Sequence, residues 1–237
     1  MGSTTNPGRL AGLLWLLTTV TGGFGLFYIR SHVIVPGDAA ATAANIMISE
    51  PLYRAAIVSS LVSQVLQFFV GLTLFDLFKE ANKRLATVVL ASVVMSVGIA
   101  VVNMLNHFGA LLLLSHAEFL KVFAPAQLEA AALVLLRLAN GSGQGLLEIF
   151  WAPYYVSFGL LVVRSRILPK VLGVLLMFMG VGFAVNILQK FLVPQLYPAM
   201  FTQLAMTLGA LGGIPTMLWL LIKGANTPRA VLQAARL

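Results

Sequence analysis

Glu148 is the one carboxylate that stands deep inside a long apolar run of this sequence. An acid in such a place costs free energy unless it is paired or faces water, because burial disfavours its charged form. Two chemistries are open to it: general acid–base work, or anchoring the polar end of a ligand. Gln144 stands one helical turn before it, and Trp151 and Tyr155 follow on the same stripe. Hydrogen-bonding side chains interrupt other apolar runs as well: Gln64 and Gln67, then Asn103 with Asn106 and His107, then Asn186, then Gln203. Ser60, Gln64 and Gln67 share one helical stripe, and Ser96, Asn103 and His107 share another. Counted from the charges that end each run, Gln64 lies ~22 Å deep, Asn103 ~28 Å, and Glu148 and Asn186 ~24 Å. Five runs therefore place amide or acid groups at similar depth, while their opposite halves carry almost none. The expectation is a polar cavity in the outer half, with Gln64, Gln67, Asn103, Gln144, Glu148, Trp151 and Asn186 as ligand-binding candidates. Glu148 and His107 are the only catalytic candidates. The plainer role for any single amide is an interhelical hydrogen bond worth ~0.6 kcal/mol. His107, near the outer end of its run, is equally readable as a solvated ring.

Several chemistries find no support. An ion or proton path needs a polar track through the full thickness, and the apolar halves argue against one. His32 and His116 fall in loops, which leaves only His107 and too few ligands for a haem or zinc centre. Cysteine is absent, so thiolate and disulfide chemistry are excluded. No cofactor and no metal is implied. The run Asn140-Gly141-Ser142-Gly143-Gln144-Gly145 lacks the G-x-G-x-x-G spacing of a dinucleotide loop. Gly141-Ser142-Gly143 resembles the serine segment of rhomboid proteases. It departs from that pattern at Asn140, and every histidine precedes the serine. Asp76 beside Lys79 reads as an interfacial charge.

The elements that must position these residues are membrane helices. Of 237 residues, 59% are hydrophobic and 9% charged, and the mean hydropathy is +0.96. A globule of this size cannot hide so much apolar surface, so lipid must solvate it. Six apolar runs, approximately 10–29, 55–78, 85–114, 142–163, 171–189 and 200–222, each reach the ~20 residues that cross a hydrocarbon core as helix. The fold class expected is all-α, one transmembrane domain over 1–237 with six spanning helices and short outer-face helices. The net charge of +8 does not indicate nucleic acid, because the cations sit at the ends of apolar runs. Ten of them (Arg9, Lys79, Lys83, Arg84, Arg164, Arg166, Lys170, Lys223, Arg229 and Arg236) flank one set of ends, against five on the other. The positive-inside rule then puts both termini in the cytoplasm. Tyr28, Tyr53 and Tyr197 fall at outer ends, where amphipathic rings prefer the headgroup level. Two segments lie outside the runs. In 31–52, Pro36-Gly37-Asp38 predicts a turn and N-cap before a short helix over 39–49, a candidate lid. In 116–139, an Ala/Leu-rich helix is predicted from Gln127. A helix over 130–163 would measure ~50 Å, too long for one crossing, so the glycine run is its natural break.

The opening Arg9-Leu10-Ala11-Gly12-Leu13-Leu14, the segment from Ile34-Val35-Pro36-Gly37-Asp38 to Ile46, the helix start from Lys170 to Gly180 and the polar fourth helix together resemble a bacterial domain-of-unknown-function family, number 4386. The Pro-Gly-Asp segment is the most specific part. The resemblance implies a multi-pass membrane protein, expected in a bacterial cytoplasmic membrane. It supplies no reaction and no catalytic residue.

Function is expected to be the binding or sensing of a small amphiphile or lipid, since a lone acid among amides suits recognition. An intramembrane enzyme on a lipidic substrate, with Glu148 as acid or base, is the alternative. A small transporter and a structural subunit of a complex follow. The partners expected are the bilayer, that ligand and a second copy of the chain.

Overall fold

A computed structural model describes residues 6–192 and 199–225. Tyr197 and the tail 227–237 lie outside the described residues, as do the side chains of Ser142, Gln144 and Gln203. Among the described residues there is helix, turn and loop but no strand. Helix α1 is Pro7–Tyr28 and closes in a π turn, Ile29–Val33. Helix α2 is Ala39–Ile48. The stretch Glu50–Leu113 follows, then a 3-10 turn Glu118–Leu120 and helix α5, Pro125–Leu138. A π segment Ala139–Gly143 leads into α6, Gln144–Ser165, and the chain continues with α7, Lys170–Leu192, and α8, Ala199–Ile222.

The 64 residues of Glu50–Leu113 would make a rod of about 96 Å, three times a hydrocarbon core. They do not, because Asn82 leaves the helical region at φ −160°, ψ 99°. Its side-chain oxygen accepts a hydrogen bond from the Leu85 amide at 3.0 Å. Asn82 is thus an N-cap, and it separates α3 (50–81) from α4 (83–113). Helix α3 begins earlier than the apolar run that predicted it. Pro51 suits a first turn, and Arg54 pairs with Glu50 at 2.7 Å, so charged residues carry the helix a turn further.

Asp38 caps α2 as expected, accepting from the Ala41 amide at 2.8 Å. The helix is not a detached flap: Thr42, Ala43 and Ile46 are buried, and α2 packs on α5. Helix α5 starts at Pro125, two residues before the predicted Gln127. Proline fits the first helical position, and Gln127 Oε1 accepts from the Ala124 amide at 2.9 Å. At the glycine run the expected break takes the form of a widened turn, Ala139–Gly143, instead of a loop.

The chain folds into two compact units, each discontinuous in sequence. Among the described residues one comprises 6–17, 66–97, 147–192 and 199–225, and the other 18–65 and 98–146. The core of the first gathers Trp15, Leu74, Phe78, Val93, Tyr154, Phe158 and Leu176. The core of the second gathers Ile29, Val33, Ile46, Tyr53, Ile57, Leu111 and Leu136. Exposed positions are apolar too: Val58, Val62 and Val65 on α3, Val171, Phe178 and Val185 on α7, and Leu211, Ile214 and Leu218 on α8. Such continuous apolar faces exceed what a soluble monomer tolerates. Among the described residues three stretches, Glu50–Leu113, Pro125–Ser165 and Lys170–Leu192, are long and apolar enough to cross a membrane.

Between lipid-solvated helices the hydrophobic effect is weak, so close packing must hold them. Helices α6 and α7 meet at Gly159 and Gly173, where a methyl group on either would strike the carbonyl oxygen of the other. Gly173→Ala should therefore destabilise the protein by about 1–3 kcal/mol. Unfolding in mixed micelles with a denaturing detergent measures this, and an unchanged midpoint would mean the two backbones do not touch.

Candidate functional site

In the first unit, α6 and α7 bring together Glu148 and Asn186, two of the residues singled out from sequence. The Asn186 carboxamide donates to the Glu148 carboxylate, Nδ2 to Oε2, at 2.6 Å. Both side chains are half-buried. A short charge-assisted bond of this kind is among the stronger polar contacts available to an acid in hydrocarbon. One turn further along α7, Gln189 Oε1 is buried and has no hydrogen-bond partner among the described residues. An orphaned acceptor at that depth is costly and invites a donor.

Aromatic rings adjoin the acid on its own helix. Trp151 stacks on Tyr155 with centroids 5.7 Å apart and meets Tyr154 edge-on at 5.2 Å. Tyr155 in turn stacks on Phe183 of α7 at 5.7 Å. The column arises because residues 151 and 155 lie one turn apart on α6 and Phe183 lies one turn before Asn186. An acid–amide pair beside a broad aromatic wall is suited to hold a polar group with an apolar body. Gln67, also in this unit, is buried.

In the second unit the amides have structural tasks. Asn103 ties the π segment to α4: its Nδ2 donates to the Ala139 oxygen at 3.0 Å. The Asn103 carboxamide occupies the space where a Cβ on residue 143 would stand, so glycine is required there. Asn106 braces Asn103, donating to its Oδ1 at 3.1 Å. Gln64 is half-buried and donates to Ser63 Oγ at 3.2 Å. His107 is buried, not solvated, and its Nδ1 shares a 3.0 Å hydrogen bond with the Tyr53 hydroxyl. The side chain of Gln144, at the first position of α6, lies outside the described residues. Asp76 and Lys79 form an exposed pair at 2.6 Å, as an interfacial charge should.

Sequence reasoning missed Gln189, Phe183 and the Tyr53–His107 bond. Gln189 had a signal, its i+3 spacing from Asn186. The other two depend on which helices meet, which spacing along one helix does not reveal.

These features define an all-helical integral membrane protein with an acid–amide pair placed among apolar helices. Residues 10–224 match the family described as Domain of unknown function (DUF4386), and the chain belongs to that family. No curated protein and no solved structure matches it.

The two kinds of amide are separable by experiment. Asn103→Ala removes the buried bond to Ala139 and empties the space beside Gly143, and should cost about 1–3 kcal/mol. Gln64→Ala, whose bond is to a neighbouring side chain, should stay within about 0.5 kcal/mol. Equal losses in the same micellar unfolding assay would show that Asn103 does not hold the π segment.

Proposed function

We propose that this protein is a six-span protein of the bacterial cytoplasmic membrane that binds a small amphiphile. Glu148, Asn186 and Gln189 contact its polar end, and Trp151, Tyr155 and Phe183 flank its apolar part. The observation that carries this reading is the Gln189 oxygen, buried and unpaired one turn from the Glu148–Asn186 bond. Two acceptors close together select a head group that donates, a hydroxyl or an amine. Binding is favoured over catalysis because the carboxylate accepts a short hydrogen bond from an amide, a group that does not titrate. Gln64, Gln67, Asn103 and Gln144 remain in the proposal as residues of the polar layer, with Asn103 and Gln64 acting through helix packing.

Lipids extracted from the purified protein, or retained in native mass spectrometry, test the reading. The wild type should carry one dominant amphiphile, and Glu148→Gln and Gln189→Met should each reduce its retention about tenfold, or 1.4 kcal/mol. Gln189→Met should also raise stability in the empty protein, since it removes an orphaned polar atom. A wild type that carries nothing sinks the binding proposal. A turnover of the carried lipid that is lost in Glu148→Gln with retention intact establishes the enzyme instead.

The topology rests on the distribution of lysine and arginine and has its own test. The chain has no cysteine, so single cysteines can be introduced without interference. In intact cells a membrane-impermeant maleimide should label Glu118→Cys and not Glu80→Cys. Labelling of both positions, or the reverse pattern, overturns the assigned sidedness.

A further inference from the structure

We propose a second binding site, for the phosphate of a lipid head group, where α6 and α8 end and α7 begins in the first unit. A cavity of about 450 Å³ opens there, lined by Arg166, Ile167, Leu168, Pro169, Trp219, Lys223 and Gly224. That volume is within the range of small-ligand pockets, ~300–1,000 Å³. Its chemistry is two cations over an apolar floor. Ile167 and Leu168 are buried, while Arg166 and Lys223 are exposed and Trp219 is 39% exposed.

Three observations assign an anion to it. First, no aspartate or glutamate follows Glu148 in the chain, whereas Arg164, Arg166, Lys170 and Lys223 crowd the ends of these three helices. The ion pairs among the described residues join Arg54 to Glu50, Lys79 to Asp76 and Lys121 to Glu118, and none uses Arg166 or Lys223. Second, Arg166 sits just beyond the end of α6 with φ +58°. Glycine is the usual residue at such a left-handed helix end, because a side chain there is strained. A strained arginine at the lining of a cavity suggests that the charge is wanted at that point. Third, α8 ends in a left-handed Gly224 whose amide bonds the Trp219 and Leu220 carbonyls at 3.2 and 3.0 Å. Those bonds satisfy two carbonyls of the last turn, and Lys223 beside them offsets the negative pole of the α8 dipole. The cavity also borders the start of α7, the positive end of its helix dipole.

A lipid is favoured over free phosphate as the source. The pocket belongs to the ends of apolar helices, its floor is hydrocarbon, and a tryptophan stands at its edge, where indole rings meet head groups. This site uses none of the residues around Glu148, so either proposal can fail alone.

The test is native mass spectrometry of the full chain in detergent, titrated with phosphatidylglycerol, with dioleoylglycerol, or with inorganic phosphate. Phosphatidylglycerol should bind and dioleoylglycerol should not. Arg166→Gly should lower phosphatidylglycerol binding at least tenfold while leaving the unfolding midpoint equal or higher, since glycine relieves the strained backbone. Lys223→Gln should lower binding several-fold, and Glu148→Gln should leave it unchanged. Undiminished phosphatidylglycerol binding by the Arg166→Gly, Lys223→Gln double variant overturns the site. Binding of inorganic phosphate at the same residues without phosphatidylglycerol overturns the lipid as its source.

Discussion

Hydrocarbon offers no hydrogen bond to a peptide group, and this single shortage shapes the chain. Each backbone N–H and C=O in an apolar stretch must find a partner within the protein. The helix meets that demand along most of the described length. Where it is interrupted, a polar side chain or an amide closes the gap. Asn82 caps α4 through the Leu85 amide, Asn103 donates to a carbonyl of the π segment, and Gly224 closes α8. The polar residues scattered through the apolar runs are therefore not a uniform set. Several exist because the backbone departs from the α-helix near them.

That distinction separates Glu148 from the amides around it in sequence. Asn103 answers a structural need that can be pointed to, the Ala139 oxygen. The acid is held by Asn186, and a further acceptor on Gln189 lies unpaired nearby. A protein selected only for packing would replace such a group with leucine or methionine, because an apolar substitute is the cheaper occupant of hydrocarbon. Retaining it is understandable if something binds it.

The two glycine contacts show how small residues decide geometry in lipid. At Gly159 and Gly173 the absence of side chains lets α6 and α7 touch, and that approach sets Glu148 against Asn186. At Gly143 the same absence makes room for the Asn103 carboxamide. Neither role is visible in the sequence, where glycine in an apolar run signals only a possible bend. The expectation at the glycine run was a break in the helix. The widened turn Ala139–Gly143 delivers the change of course without surrendering the helix, and Asn103 adds a side-chain bond to it.

Residue type and order alone determined that the chain is helical and lipid-solvated. Its apolar runs are too long for any other use, and their limits follow from where charges begin. Helices α7 and α8 start and stop within a few residues of the expected 171–189 and 200–222. Local capping was equally legible at Asp38, because a cap and its amides are neighbours in sequence. Tertiary structure alone decided the pairings: Glu148 with Asn186, Asn103 with Ala139, His107 with Tyr53. Each joins residues 36 to 54 positions apart, and the stripe of a single helix fixes which way a side chain points but not what meets it.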